Sequence, residues 1–277
     1  MCNGVRLSWE SFGAGEPVLL IAGTGMPPAG WQVGEFALAP ALVDAGYRAV
    51  TFANRGIAPS QAPTVPYSVA DMAADTAALV EALELAPCRI VGYSLGGQIA
   101  EEMCYRHPEL VTDVVLMASA GRSTAFVRLY VQAQVDVAMA IDPPLPTQAA
   151  RDTLLFTQPP SVLQREPETV DRIRSMIETA PPWTNPGRLG QWAAVHAWVN
   201  DEERPARWTG LTQRCLLVAF ELDVAWPPSR VREAADAMPN AQYAEIAGAV
   251  HGGLVTRGEE VTKTILEFFA SQSSLTS

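Results

Sequence analysis

The chain has no run of about 18 uncharged apolar residues, so a helical membrane span is excluded. Charge is sparse: Asp, Glu, Lys and Arg make up only 18% of residues. Basic residues are in deficit, 19 against 30 acidic, for a net charge of −11. Such a chain repels phosphate backbones, so nucleic acid is not an expected partner. Cysteine is scarce: Cys2, Cys88, Cys104 and Cys215. No two of them form a C-x-x-C, and their spacing matches no zinc site. Four reduced thiols are expected, as in a cytoplasmic protein. The opening Met1-Cys-Asn-Gly-Val-Arg6 lacks a basic start followed by an apolar stretch, so no secretory signal is read and a cytoplasmic location is expected. Internal repeats and low-complexity segments are absent. No G-K-[ST] follows a glycine-rich loop, so a phosphate loop is excluded. Neither a metal nor a cofactor is expected.

What remains suits a packed enzyme-sized fold. Apolar residues are 48% of the 277, enough for a sizeable core. Short apolar runs bounded by turn residues recur: Val18–Ala22, Tyr47–Phe52, Cys88–Tyr93, Asp113–Ala118 and Arg214–Ala219, with a weaker one at Tyr243–Ile246. Continuous apolar runs are what strands covered on both faces need. Helical patterns separate them: from a capping box at Ser68-Val-Ala-Asp71 to about Leu85, then Leu95–Arg106, Val231–Met238 and Val261–Phe269. Alternating strand and helix predicts an α/β fold, a doubly wound, mostly parallel sheet with right-handed crossovers. The rhythm breaks between about Gly121 and Pro205, a proline-rich region carrying Trp183, Trp192 and Trp198, with Trp208 just past its end. The expected organisation is a core of residues 1–120 and 206–277 with a helical cap insertion at 121–205. The tryptophans either fasten the insertion to the core or line an apolar pocket.

The segment richest in chemistry is Gly92-Tyr-Ser-Leu-Gly-Gly97. It is a G-x-S-x-G between an apolar strand and a helix. Glycines let strand and helix close around a tight turn, and the serine is pushed out at a helix N-terminus, where partial positive charge favours a developing anion. Ser94 is the candidate nucleophile. A serine hydroxyl needs a base at neutral pH, and there are only three histidines. His107, before Pro108, reads as a helix-end residue. His196 reads as a packed or surface residue of the insertion, with substrate contact as the alternative. His251, in Ala249-Val-His-Gly-Gly253 after the last strand, falls at the same sheet edge as Ser94 and is the candidate base. The carboxylate that orients the imidazole is expected at Asp223, after strand Arg214–Ala219, with Glu221 as second choice. The developing oxyanion calls for two backbone donors: the N–H of Leu95, and the N–H of Thr24 in the Gly23-Thr-Gly25 loop.

These pieces together resemble the α/β-hydrolase superfamily. The resemblance is nearest to the capped group of proline iminopeptidases, enol-lactone hydrolases, methylesterases and cofactor-free haloperoxidases. It rests on the loop after Leu19-Leu-Ile21, the Asn54-Arg-Gly56 turn with Ser60, Ser68–Met72, Gly92–Gly97, Glu221-Leu-Asp223 and His251-Gly252. The order Ser94, Asp223, His251 is the chain order of that fold. Two departures stand out: Ala22-Gly23 where the family usually has His-Gly, and Ala53–Ser60 where it often has Asp-x-Arg-Gly with a second glycine.

The resemblance implies a serine hydrolase acting on a small, mostly apolar carboxylic ester or lactone through an acyl-enzyme. Two other functions stay open. The same triad could serve carbon–carbon bond hydrolysis, perhydrolysis, or a biosynthetic cyclisation or decarboxylation. The fold could also house a non-catalytic small-ligand receptor.

Overall fold

The computed structural model describes residues 1–34 and 37–271; the last six residues of the expected core segment lie outside them. Among the described residues, seven strands form one sheet: β1 (Trp9–Phe12), β2 (Pro17–Ile21), β3 (Arg48–Phe52), β4 (Cys88–Tyr93), β5 (Val111–Met117), β6 (Arg214–Phe220) and β7 (Ala241–Ile246). Their spatial order is β1-β3-β2-β4-β5-β6-β7. All neighbours are parallel except β1 with β3. The short antiparallel edge strand β1 was not predicted. Its Trp-Glu-Ser-Phe is mostly exposed, so it lacks the apolar run that marks the buried strands.

Eleven α-helices occur among the described residues. On the core they are α1 (Leu38–Asp44), α2 (Val69–Ala82) and α3 (Leu95–Arg106). Between β5 and β6 come α4 (Ala125–Ala140), α5 (Pro146–Thr157), α6 (Pro160–Arg165), α7 (Pro167–Thr179) and α8 (Gly187–Val199). The chain ends with α9 (Pro228–Ala237), α10 (Gly253–Thr256) and α11 (Gly258–Ala270). Much of the proline that marks the insertion stands at helix starts, as at Pro146, Pro160 and Pro167. There its missing N–H removes no intrahelical bond and its fixed φ suits the first turn.

The core follows from period-two alternation along the strands. Leu19, Ile21, Val50, Phe52, Ile90, Leu217 and Ala219 face a layer that includes α2, α3, α8 and α9. Val18, Leu20, Ala49, Val91, Leu216, Val218 and Phe220 face the other layer, with α1 and α11. Because the strands after β1 run in one direction, their carboxyl ends share one rim. The loops that follow β2, β4, β6 and β7 therefore emerge side by side.

Glycines allow the closest approach at that rim. A Cβ on Gly96 would stand 1.8 Å from the Ile21 carbonyl oxygen, and one on Gly92 would stand 2.3 Å from that of Gly96. Helix α3 therefore starts pressed against β2.

Candidate active site

Ser94 sits at the tip of the turn between β4 and α3, with φ 54° and ψ −121°. That left-handed backbone strains a residue with a side chain and is held by its surroundings. The Ser94 N–H donates to the Met117 carbonyl at 2.9 Å. Its own carbonyl accepts from Gly97 and Gln98, opening α3. With the main chain thus engaged, the side chain projects from the rim.

His251 follows β7. Its Nε2 lies 3.0 Å from Ser94 Oγ. Its Nδ1 lies 2.8 Å from Asp223 Oδ2. The other carboxylate oxygen, Asp223 Oδ1, accepts the N–H groups of Ala225 at 2.8 Å and Trp226 at 3.2 Å. Both His251 and Asp223 are buried, while Ser94 is only half-buried. Hydroxyl, imidazole and carboxylate thus form one hydrogen-bonded line from solvent-facing to buried. This is the arrangement that lets an imidazole take a proton from a hydroxyl while its charge is stabilised from behind.

The second-choice acid lies elsewhere: Glu221 is exposed and accepts the Gly248 N–H at 2.7 Å. His107 ends α3, its N–H donating to the Met103 carbonyl. His196 is half-buried on α8.

The Gly23–Met26 loop stands over the serine turn. A Cβ on Gly23 would lie 3.2 Å from both Ser94 Cβ and the Tyr93 ring. The Met26 N–H donates to the Gly23 carbonyl at 3.1 Å, closing a tight turn with Gly25 at φ +71°. Thr24 is half-buried at its apex. Leu95 is the first residue of α3, where an N–H has no intrahelical acceptor. Where the family usually has histidine, Ala22 is fully buried and its carbonyl accepts from Asn54 Nδ2 at 3.0 Å. The neighbouring turn is closed by Ser60, whose Oγ donates to the Ala53 carbonyl at 2.6 Å. Asn54 and Ser60 thus tie these two loops to their surroundings.

Several contacts were not read from the sequence. The Tyr93 hydroxyl, partly buried, donates to the His251 carbonyl at 2.8 Å and ties the histidine loop to the serine turn. Burial raises that phenol's pKa, so it stays a donor. Its place as the variable residue of G-x-S-x-G was the available signal. Phe156 of α5 packs on the imidazole with ring centroids 4.4 Å apart. It stacks on Tyr130 at 4.8 Å, and Tyr130 meets the edge of Trp192 at 5.9 Å. A Cβ on Gly252 would fall 2.3 Å from the Thr157 carbonyl, so α5 rests directly on the histidine loop.

The tryptophans divide. Trp198 and Trp208 are buried around the Arg204 guanidinium, at 3.7 and 5.4 Å. Trp208 also donates to Glu101 at 3.1 Å. Trp198 of α8 and Trp208, between α8 and β6, thus pack this part of the chain against α3 through Arg204 and Glu101. Trp183 and Trp192 are only half-buried, and Trp192 reaches His251 only through Tyr130 and Phe156. Trp183 donates to the Gly56 carbonyl at 2.9 Å and lies against Gly25.

Comparison with known proteins follows the same lines. The profile of the alpha/beta hydrolase fold matches residues 16–257. A Mycobacterium tuberculosis (strain H37Rv) protein that carries the name of a non-heme bromoperoxidase, BpoC, is 35% identical over 267 residues, spanning 96% of this chain and 98% of its own. Its crystal structure superposes with a TM-score of 0.85 over 96% of each chain. Rhodomycin D methylesterase DauP of Streptomyces sp. (strain C5) is 26% identical over 273 residues, 89% of each chain. The enol-lactonase of Burkholderia xenovorans LB400 shares the fold, with a TM-score of 0.81 at 22% identity over 97% of this chain and 98% of that one. The profile match and the near full-length 35% identity establish that this chain belongs to the α/β-hydrolase family.

Proposed function

We propose that this protein is a serine hydrolase of small, mostly apolar carboxylic esters or lactones. One observation carries the reading: the unbroken line from Ser94 Oγ through His251 at 3.0 Å to Asp223 at 2.8 Å. In this reading residues 1–120 and 206–277 form the core, and 121–205 form a cap over the serine.

His251 Nδ1–H donates to Asp223, which leaves Nε2 free to accept the Ser94 proton. Ser94 Oγ then bonds to the substrate carbonyl carbon, and the carbonyl electrons move onto oxygen. The N–H groups of Thr24 and Leu95 hold that oxyanion, Leu95 with the added field of the α3 N-terminus. As the oxyanion collapses, the bond to the alkoxide breaks. The alkoxide leaves with the proton from His251, and Ser94 keeps the acyl group. Water, deprotonated by His251, attacks the acyl carbon by the same route and releases the acid. Phe156, Tyr130 and Trp192 supply an apolar wall beside His251 that favours an apolar substrate group.

The 35%-identical relative named for bromoperoxidase favours a second reading, perhydrolysis. Hydrogen peroxide would replace water in the last step and release a peroxy acid.

A fluorophosphonate probe and p-nitrophenyl butyrate test the main reading. The probe should label the wild type at Ser94, with no label on Ser94→Ala. Turnover should fall roughly 10⁶-fold in Ser94→Ala and His251→Ala, and roughly 10⁴-fold in Asp223→Asn. A folded wild type that neither labels nor turns over any ester or lactone overturns the reading and favours a small-ligand receptor. Faster peroxy-acid formation than hydrolysis in added peroxide favours the second reading.

A further inference from the structure

We propose that Gln191, on insertion helix α8, is the positioning residue of the oxyanion loop; the proposal rests on the serine-hydrolase reading above. Gln191 is fully buried, and both ends of its amide are used. Its Oε1 accepts the Gly25 N–H at 3.0 Å. Its Nε2 donates to the Arg55 carbonyl at 2.9 Å. The residue stands 166 positions from Gly25 and 136 from Arg55, so the bridge joins three separate segments.

The anchor beneath it is rigid. The Arg55 guanidinium makes two 2.6 Å bonds to the carboxylate of Asp75 on α2, and both side chains are buried. The loop above it is not rigid by itself. Gly23 to Met26 is a turn with glycine at its third position, and its middle peptide, between Thr24 and Gly25, can rotate at small steric cost. That peptide carries the Gly25 N–H. By accepting this N–H, Gln191 fixes the middle peptide and occupies its donor. The preceding N–H, that of Thr24, is then held as the loop's donor toward Ser94. The Trp183 ring closes the same side: a Cβ on Gly25 would come within 2.8 Å of it.

Gln191 itself does not touch the reacting atoms. Its loss weakens the hold on the tetrahedral state and leaves the ground-state wall in place. Removing an oxyanion donor outright costs about 10²–10³ in turnover. Loosening one should cost less, about 10- to 100-fold in kcat, with KM within about threefold.

The test uses the full chain with p-nitrophenyl butyrate. Wild-type turnover and fluorophosphonate labelling are measured first, and their absence counts against the hydrolase reading rather than against Gln191. Gln191→Met keeps the side-chain length and removes both hydrogen bonds. Its kcat should fall 10- to 100-fold with KM little changed. The inhibition constant of a trifluoromethyl ketone, which forms the tetrahedral adduct, should rise in step with the loss. That of the product carboxylate should not move. If Gln191→Met does not fold, Gln191→Asn is used, whose amide is too short to reach both partners. A folded variant with wild-type kcat overturns the proposal. So does one whose KM and carboxylate affinity weaken while kcat holds, because Gln191 would then be a wall of the substrate site.

Discussion

At the scale of single residues, the site depends on groups that leave no room. Gly96 is the sharpest case, since a methyl there would overlap the Ile21 carbonyl oxygen at 1.8 Å. The oxygen belongs to a central strand and cannot yield cheaply. Gly96→Ala should destabilise the fold by at least about 3 kcal/mol, at the upper end of overpacking effects, read as a drop in the urea midpoint. Gly92, Gly96 and Ser94 were legible in sequence because a tight strand-to-helix turn demands those residue types. His251 was legible too, as the one histidine of three in a loop after a strand. Tyr93, Phe156 and Gln191 were not. Each acts by where its side chain arrives, and nothing local distinguishes a bridging glutamine in α8 from a solvated one.

At the scale of elements, local signals were strong where the chain itself satisfies its backbone. Ser68 caps α2 by accepting the Asp71 N–H at 3.1 Å, and Asp71 returns by accepting the Ser68 N–H at 2.8 Å. Ser68→Ala should cost about 1 kcal/mol in denaturant unfolding with kcat unchanged, since the cap touches neither the serine nor its loops. All five strands with strong apolar runs match their predicted spans within two residues. The edge strand β1 and the short α1 were missed. β1 is exposed and paired on one side only, so no apolar run announces it. α1 is seven residues long, too short for a periodic pattern to stand out. Between β5 and β6 the strand–helix rhythm breaks; α4 has a Thr124 cap, but α5, α6 and α7 start at prolines rather than at polar caps, so their limits were not read.

At the scale of the whole molecule, the chain between β5 and β6 is joined to α3 by a buried ion pair. Arg204 bonds Glu101 of α3 at 2.9 Å, and both are buried beneath Trp198 and Trp208. Removing one partner leaves the other charged and desolvated. Glu101→Ala should therefore lose about 3–5 kcal/mol of stability, and combining it with Arg204→Met should recover part of that loss. Calorimetry of the two variants checks both statements.

The thiols give the molecule an alkaline limit. Burial pushes Cys88 and Cys215 up from 9.0 to about 12. The native state then holds protons that the unfolded chain releases. Their contribution is whole below pH 9 and is lost as pH rises from there toward about 12. Urea midpoints should fall between pH 8 and 10.5, and Cys88→Ala should flatten that fall. The native thiols should also resist alkylation at neutral pH and react once urea unfolds the chain.

Sequence by itself determined the alternation of strand and helix, the serine turn, and the order of the hydroxyl, carboxylate and imidazole along the chain. These are local matters: turn geometry, period and strand-end placement are written in neighbouring residues. Parallel strands did the rest by sending every such loop to one rim. Tertiary structure alone decided which insertion residues reach that rim. Phe156 meets His251, and Gln191 meets Gly25, only after chain segments roughly 95 and 166 residues apart have packed. Those meetings depend on how helices are set against one another in space, and periodicity along a chain does not encode that setting.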